Sequence, residues 1–190
     1  KQRWAESHEI CHNLIPTHKY FLIGDVSETL DPEYQEMLEA EANYGSSALI
    51  FMGKAFSKEA LDMADEWKTI MYFKKKYGNT IASTLRRYVQ FSNDTPKIGF
   101  IHTPRWMPKP DDQIDRCRHF IKSKKFDKKF SKVSSKIILD NVEAYISQRR
   151  GGPVGEGEFV LSDDNGDLHK FVGSSFFNRY YVMTLITNIN

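Results

Sequence analysis

Residues 3–14 read Arg-Trp-Ala-Glu-Ser-His-Glu-Ile-Cys-His-Asn-Leu and contain the pattern His-Glu-x-x-His at residues 8–12. On an α-helix, residues four apart lie on the same face, so His8 and His12 are placed to bind one metal ion. Glu9 lies about 100° from His8 around the helix axis, where a carboxylate can act as a general base without being a ligand. No proline or glycine interrupts this stretch. It is therefore predicted to form a helix that carries two ligands and the base of a zinc hydrolase.

A second segment offers the third ligand. Residues 31–32, Asp-Pro, predict the N-cap and the first position of a helix that runs to about residue 52. On this helix Glu39 shares a face with the small residues Ala42 and Ser46, which allow close approach to the first helix. A catalytic zinc site has three protein ligands and one open position, so Glu39 is the expected third ligand. Glu41, about 160° away on the helix, is the alternative ligand or an outer partner.

The composition of the 190-residue chain limits the other classes of function. The 40% apolar and 13% aromatic residues are enough for a globular core. A net charge of +2 does not indicate a nucleic-acid or membrane surface, and no apolar run is long enough for a transmembrane helix. The only cysteines, Cys11 and Cys117, fit a reducing cytoplasm. Because the predicted catalytic helix starts close to Lys1, we expect a further segment upstream.

The two motifs together resemble the metal-binding core of the ImmA/IrrE metallopeptidases, a bacterial and phage family. The resemblance is carried by R-W-A-E-S-H-E-I-C-H-N-L at residues 3–14 and by E-A-E-A-N-Y-G-S-S-A-L-I at residues 39–50. It implies a cytoplasmic zinc peptidase with a gluzincin-like core that cleaves helix-turn-helix repressors and so derepresses stress-response or mobile-element genes. The site residues that it implies are the Zn²⁺ ligands His8, His12 and Glu39 and the general base Glu9.

The sequence departs from the pattern of this family in three respects. Cys11 stands where glycine is frequent, and Gly53 follows Met52 where the family often has proline. We expect no counterpart of the family's usual N-terminal sheet within residues 1–190. In zincins an extended peptide commonly pairs with a strand edge beside the metal. Without that sheet, this way of binding the substrate is not predicted from the sequence.

Residues 57–95 are predicted to be helical, with a turn at Gly78. A helix pair of this kind with arginines on its second helix is typical of a helix-turn-helix reader, so Arg86 and Arg87 are candidate DNA contacts. The favoured alternative is that the second helix packs on the first and that both arginines are solvated. The predicted helices span residues 58–76 and 81–89.

Residues 96–190 are predicted to form a separate small α+β domain, after a polar hinge at residues 92–96. The domain has no catalytic motif, and a sensory role is one hypothesis for it. Asp164-Asn165-Gly166-Asp167 predicts a type I′ hairpin turn and not a calcium loop. A helix is predicted over residues 111–121. The predicted strands span residues 97–102, 135–140, 143–147, 158–162, 168–172 and 179–187.

Three further features have alternative interpretations. Residues 19–25 are predicted to be a strand or a buried loop. Residues 122–132 contain six lysines around two phenylalanines, a pattern that can bind phosphates, although a solvated loop is favoured because the chain is nearly neutral. The candidates for stabilising an oxyanion, which only geometry can separate, are His18, Tyr20 and Tyr44.

The sequence thus predicts an α+β protein with a gluzincin-like zinc-binding core at residues 1–56, a helix-turn-helix-like segment at 57–95 and an α+β domain at 96–190. The leading hypothesis is a cytoplasmic, zinc-dependent metallopeptidase that acts on a repressor protein, with no membrane partner. The alternative is a DNA-binding regulator with a structural metal site, although a nucleic-acid partner is disfavoured by the charge. A third hypothesis is an interaction module that senses a ligand through residues 96–190.

Overall fold

The computed structural model describes residues 2–22, 31–92, 95–107, 115–146 and 151–189, with the side chains of residues 20–22 excepted. Over these residues the chain has an α+β fold with a five-stranded antiparallel sheet, in which α1–α6 precede the first strand and α7 and α8 lie between the second and third strands. None of the described helices is long and apolar enough to cross a membrane. The helices are α1 (Gln2–Leu14), α2 (Pro16–Leu22), α3 (Pro32–Ile50), α4 (Lys54–Leu61), α5 (Trp67–Tyr77), α6 (Ile81–Phe91), α7 (Lys124–Lys129) and α8 (Ser135–Tyr145). The strands are β1 (Lys97–His102), β2 (Cys117–Lys122), β3 (Gly152–Ser162), β4 (Leu168–Phe177) and β5 (Val182–Asn188).

The chain divides into two compact units, Lys1–Phe56 and Ser57–Asn190. The first unit contains α1, α2, α3 and the start of α4. The second contains the remaining helices together with the sheet. Residues 57–95 therefore belong to the same unit as the sheet, whereas the sequence predicts a boundary near residue 95.

A buried polar cluster explains why residues 57–95 join the sheet. The ammonium group of Lys97, the first residue of β1, donates hydrogen bonds to Asp65 Oδ1 at 2.6 Å and to Ser92 Oγ at 2.9 Å. The hydroxyl of Tyr88 on α6 donates to the same oxygen of Asp65 at 2.7 Å. The side chain of Lys97 is fully buried, so this ion pair fixes the connection before α5, the end of α6 and the start of β1 together.

Two helices of the first unit, α1 and α3, begin about where the sequence predicts. The prediction of a helix over residues 3–14 is confirmed by α1, and the predicted helix from Pro32 is confirmed by α3. Asp31 is the N-cap of α3, and its side chain accepts a hydrogen bond from the backbone N–H of Glu33 at 3.0 Å. Pro32 occupies the first turn, where its missing N–H costs nothing.

Two predictions for helical regions are wrong. Residues 19–22, predicted as strand or buried loop, continue α2, while residues 23–25 lie outside the described residues. A short apolar run does not distinguish the two structures, and Pro16 favours a helix start. The single helix predicted over residues 58–76 is two helices, α4 and α5. Within the break, Asp65 accepts hydrogen bonds from Tyr88 and Lys97, two distant residues that no local pattern places there.

Two predictions in the second half of the chain are also wrong. The helix predicted over residues 111–121 is, from Cys117 onwards, strand β2, and residues 111–114 lie outside the described residues. The strands predicted over 135–140 and 143–147 are helix α8 up to Tyr145. Ser134 caps α8 by accepting a hydrogen bond from the N–H of Ile137 at 3.4 Å. The buried residues Ile138 and Val142 are four apart, a helical spacing that the β-branched side chains obscure.

The sheet has the strand order β2-β1-β5-β4-β3. Strands β3 and β4 form the hairpin that the sequence predicts, but the turn is not type I′, because that turn needs positive φ at both central residues and only Gly166 has it. The turn is held instead by Asp163, whose carboxylate accepts hydrogen bonds from the N–H groups of Asn165 and Asp167, each at 2.9 Å.

Helices cover both faces of the strand β1. Gly99 faces α6 so closely that a Cβ atom built on it would lie 3.2 Å from Leu85 and 3.3 Å from Val89. Ile98 and Phe100 point to the opposite face, towards α7 and α8. The core on that face consists of Ile98, Phe100, Phe126, Phe130, Val133, Ile138, Val142, Leu161, Phe171 and Ile186.

Candidate metal centre

Three of the predicted site residues come together in the first unit. The Nε2 atoms of His8 and His12 lie 3.1 Å apart. A carboxylate oxygen of Glu39 lies 3.1 Å from His8 Nε2, and the other lies 3.6 Å from His12 Nε2. Among the described residues, this is the one group of three potential ligand atoms close enough to hold a metal ion.

These distances are close to those between the ligand atoms of a zinc site. With bonds of about 2.0–2.1 Å and tetrahedral geometry, neighbouring ligand atoms of a zinc site lie about 3.3 Å apart. The Nε2–Nε2 distance of 3.1 Å is close to this value, as are the distances of 3.1 and 3.6 Å from the two histidines to different oxygens of the Glu39 carboxylate. Two imidazoles and one carboxylate are also a ligand set that catalytic zinc uses. The Glu39 side chain is 50% exposed, so the group borders solvent, as a site with an open position requires.

Small side chains allow the two helices that carry the ligands to approach closely. Ala42 and Ser46 on α3 are completely buried, and the hydroxyl of Ser46 contacts that of Ser7 on α1. One turn after Ser7 on α1, Cys11 faces Gly45 of α3, and a Cβ atom built on Gly45 would lie 2.9 Å from the Cys11 sulfur. Burial raises the pKa of the Cys11 thiol, which keeps this side chain neutral in the interface.

The structure adds two residues that the ligand pattern does not include. The Nδ1 atoms of His12 and His18 lie 2.9 Å apart, and His18 Nε2 lies 3.0 Å from a carboxylate oxygen of Glu41. Glu41 thus faces His18 and not the group of three, as an outer partner of the site. His18 is 1% exposed and both of its nitrogens are engaged, so it is not placed to stabilise an oxyanion.

The other residues proposed for the site, Glu9, Tyr44 and Tyr20, do not belong to the group of three. Glu9 follows His8 on the exposed side of α1, and it is not part of the group of three. Tyr44 is exposed on α3. The side chain of Tyr20 lies outside the part of the chain that the structure describes.

The two arginines of α6 lie in different environments. Arg87 is 4% exposed, and its guanidinium group lies 3.8 Å from the centre of the Phe91 ring. The expectation that Arg87 is solvated is therefore wrong, because its helix packs between α5 and the sheet, and little of its guanidinium is left exposed for a contact with DNA. Arg86 is exposed, and its guanidinium lies 3.3 Å from His119 Nδ1 on β2.

The lysine-rich segment at residues 122–132 is anchored by its aromatic residues. Phe126 and Phe130 are buried and stack on each other with ring centres 4.8 Å apart, so they are not free to stack on nucleic-acid bases. The lysines between them lie on the short helix α7. Lys122 is paired with Asp127 at 3.2 Å, which favours the interpretation of a solvated surface.

Comparisons with known proteins give no family for this chain. No family model and no curated protein matches the chain. Among solved structures, the chain is similar to a Mycobacterium tuberculosis transcriptional regulator, with a TM-score of 0.47 and 12% sequence identity over 98% of this chain. The chain spans 64% of the length of that protein. A likeness at this level carries no functional argument.

Proposed function

We propose that this chain is a zinc-dependent metallopeptidase with a gluzincin-like centre. The observation that supports the proposal best is that His8, His12 and Glu39, a ligand set that catalytic zinc uses, bring their nitrogen and carboxylate oxygen atoms together at 3.1–3.6 Å from one another. The chemistry that zinc supplies in such a site is polarisation of a carbonyl group and acidification of a water molecule.

The residues of this chain have distinct roles in the proposal. His8 and His12 act as neutral ligands through Nε2, and Glu39 acts as an anionic ligand. Glu9, which follows the first ligand on α1 and is exposed, accepts a proton from the attacking water and returns it to the leaving amine. A helix is a rigid support for these roles, because it fixes the spacing of ligand and base.

The proposed substrate is a helix-turn-helix repressor in the cytoplasm. This part of the proposal comes from the resemblance of residues 3–14 and 39–50 to the ImmA/IrrE peptidases. The half-exposed Glu39 supports it, because a protein substrate needs a site that borders solvent. Cleavage would inactivate the repressor and derepress the genes it controls.

The experiment compares wild type, Glu9→Gln and the control Glu6→Gln, which changes an exposed acid on the same helix. Each zinc-loaded protein is incubated with helix-turn-helix repressors from the same genome, and cleavage is followed by intact mass spectrometry. Glu9→Gln is expected to keep its zinc and to lose about 100-fold or more in cleavage rate, as removal of a general base requires. Glu6→Gln should cleave like wild type.

Two outcomes would contradict the proposal. Cleavage by Glu9→Gln at the wild-type rate would show that Glu9 is not the base. Failure of the zinc-loaded wild type to cut any repressor would contradict the substrate assignment.

A further inference from the structure

The contacts of His12 continue away from the candidate metal centre. Its Nε2 atom faces His8 and Glu39, whereas its Nδ1 atom lies 2.9 Å from Nδ1 of His18. On the far side of the His18 ring, Nε2 lies 3.0 Å from the carboxylate of Glu41. The chain of contacts therefore runs from a carboxylate through two imidazoles to the proposed ligand atom.

Metal binding through Nε2 of His12 would determine which ring nitrogen carries the proton in His12 and in His18. If His12 binds metal through the lone pair of Nε2, its proton is on Nδ1, which donates to His18 Nδ1. His18 Nδ1 must then be an acceptor, so the proton of His18 is on Nε2 and is donated to Glu41. Each hydrogen bond in the row has one donor and one acceptor, and only one arrangement of protons satisfies it.

We infer that His18 and Glu41 are positioning residues that hold the His12 ring and its tautomer for metal binding. This inference rests on the proposed metal site. Histidine ligands generally donate their second ring N–H to a carboxylate, carbonyl or water, and this partner orients the ring and raises its basicity. Here the partner of His12 is an imidazole, which Glu41 in turn orients.

The local fold supports a specific role for His18. It lies on α2, which begins at Pro16 only two residues after α1 ends, and its backbone N–H donates to the carbonyl of Ile15 at 3.1 Å. This tight return brings His18 beside His12, and the tilted rings have centres 4.9 Å apart. His18 is buried whereas Glu41 is half-exposed, so the row connects the interior to the surface.

The test uses two substitutions of His18 that differ in one property. His18→Phe fills the space but removes the acceptor and leaves the buried His12 N–H without a partner. His18→Asn keeps an acceptor, because the side-chain oxygen of Asn occupies about the position of His Nδ1. Zinc affinity is measured by competition with a chromophoric chelator, and the ligand geometry is measured by the visible absorption of the Co²⁺-substituted protein.

His18→Phe is expected to weaken zinc binding by about 10-fold or more, whereas His18→Asn should stay within about 3-fold of wild type. The Co²⁺ absorption should change in the first variant and not in the second. Glu41→Ala should weaken binding more than Glu41→Gln, which still accepts from His18. Glu36→Ala, an exposed acid on the same helix, is the control and should bind as wild type. The Glu41 pair keeps the test valid if His18→Phe does not fold.

The outcomes separate this inference from the metal site. Absence of zinc binding by wild type would overturn the metal site and the inference together. Zinc binding by wild type, with unchanged affinity in His18→Phe and in Glu41→Ala, would overturn only the inference. Equal losses in His18→Phe and His18→Asn would also overturn it, because the hydrogen-bond acceptor would then not be the cause.

Discussion

Gly45 on α3 and Cys11 on α1 are so close that a Cβ atom added to Gly45 would lie 2.9 Å from the sulfur of Cys11 and 3.3 Å from its Cβ. The ligands His12 and Glu39 lie on these same two helices. The separation of the helices therefore sets the separation of the ligand atoms. Any residue larger than glycine at position 45 must push the helices or the cysteine side chain apart.

Gly45→Ala is expected to weaken zinc binding, even though alanine alone would favour the helix by about 1 kcal/mol. Cys11→Ala removes the sulfur that the new methyl group meets. The double variant Gly45→Ala with Cys11→Ala should therefore recover most of the lost affinity. Competition with a chromophoric chelator measures the zinc affinity of the single and the double variant. Wild-type affinity in Gly45→Ala, or no recovery in the double variant, would contradict the role of this contact.

Removing either residue of the ion pair between Lys97 and Asp65 should lower the free energy of unfolding, but by different amounts. Asp65→Ala leaves the fully buried ammonium of Lys97 without its carboxylate and should cost about 3 kcal/mol or more. Lys97→Met should cost less, because Asp65 is partly exposed and keeps the hydrogen bond from Tyr88. The double variant should be more stable than Asp65→Ala. Denaturant unfolding measures the free energies, and a less stable double variant would contradict this account.

His102, at the end of β1, should make stability depend on pH. It is completely buried, with no hydrogen-bond partner for its ring nitrogens among the described residues. Burial, with the nearby charge of Arg116, lowers its pKa to about 4. Between pH 6.5 and 4 the unfolded chain binds a proton that the folded chain does not, so stability falls as pH decreases.

The loss attributable to His102 should reach about 3 kcal/mol at the lower end of this range. Burial also raises the pKa of Glu143, 4.0 Å from His102, and this acts in the opposite direction. The measurement is therefore the difference between wild type and His102→Gln in urea unfolding at several pH values. This difference should shrink as pH falls from 7 to 4. A constant difference would show that His102 does not titrate differently in the two states.

The two arginines of α6 should behave differently when replaced. Arg87→Ala removes a buried guanidinium from the Phe91 ring and should lower the free energy of unfolding by about 1 kcal/mol or more. Arg86→Ala changes an exposed residue and should have little effect. Neither the wild type nor these two variants should bind duplex DNA at low salt. Salt-dependent binding that Arg86→Ala weakens would instead support a DNA-binding regulator.

The sequence predicts the parts of the site that depend on one helix at a time. The four-residue spacing of His8 and His12, and the Asp-Pro start of α3, follow local rules and are seen in the structure. The face that presents Glu39, Ala42 and Ser46 to α1 is also a local property. These features need only the helical repeat.

The rest depends on contacts between distant residues. The sequence spacing of His18 and Glu41 does not indicate that they are in contact, because the contact forms only when α2 folds back beside α1. In the break between α4 and α5, Asp65 binds Lys97, which is 32 residues away along the chain. The short apolar runs of β2 and α8 fit either structure, and only pairing with β1 or burial against the sheet decides between them.

The most direct test of the central claim is the zinc content of the purified protein, measured by elemental analysis after zinc loading and removal of excess metal. Wild type and Glu36→Ala should hold about one zinc ion per chain, and Glu39→Ala and His12→Ala should hold much less. This result would establish His12 and Glu39 as ligands of one metal centre. A wild-type protein without zinc, or a Glu39→Ala protein that keeps it fully, would contradict the account.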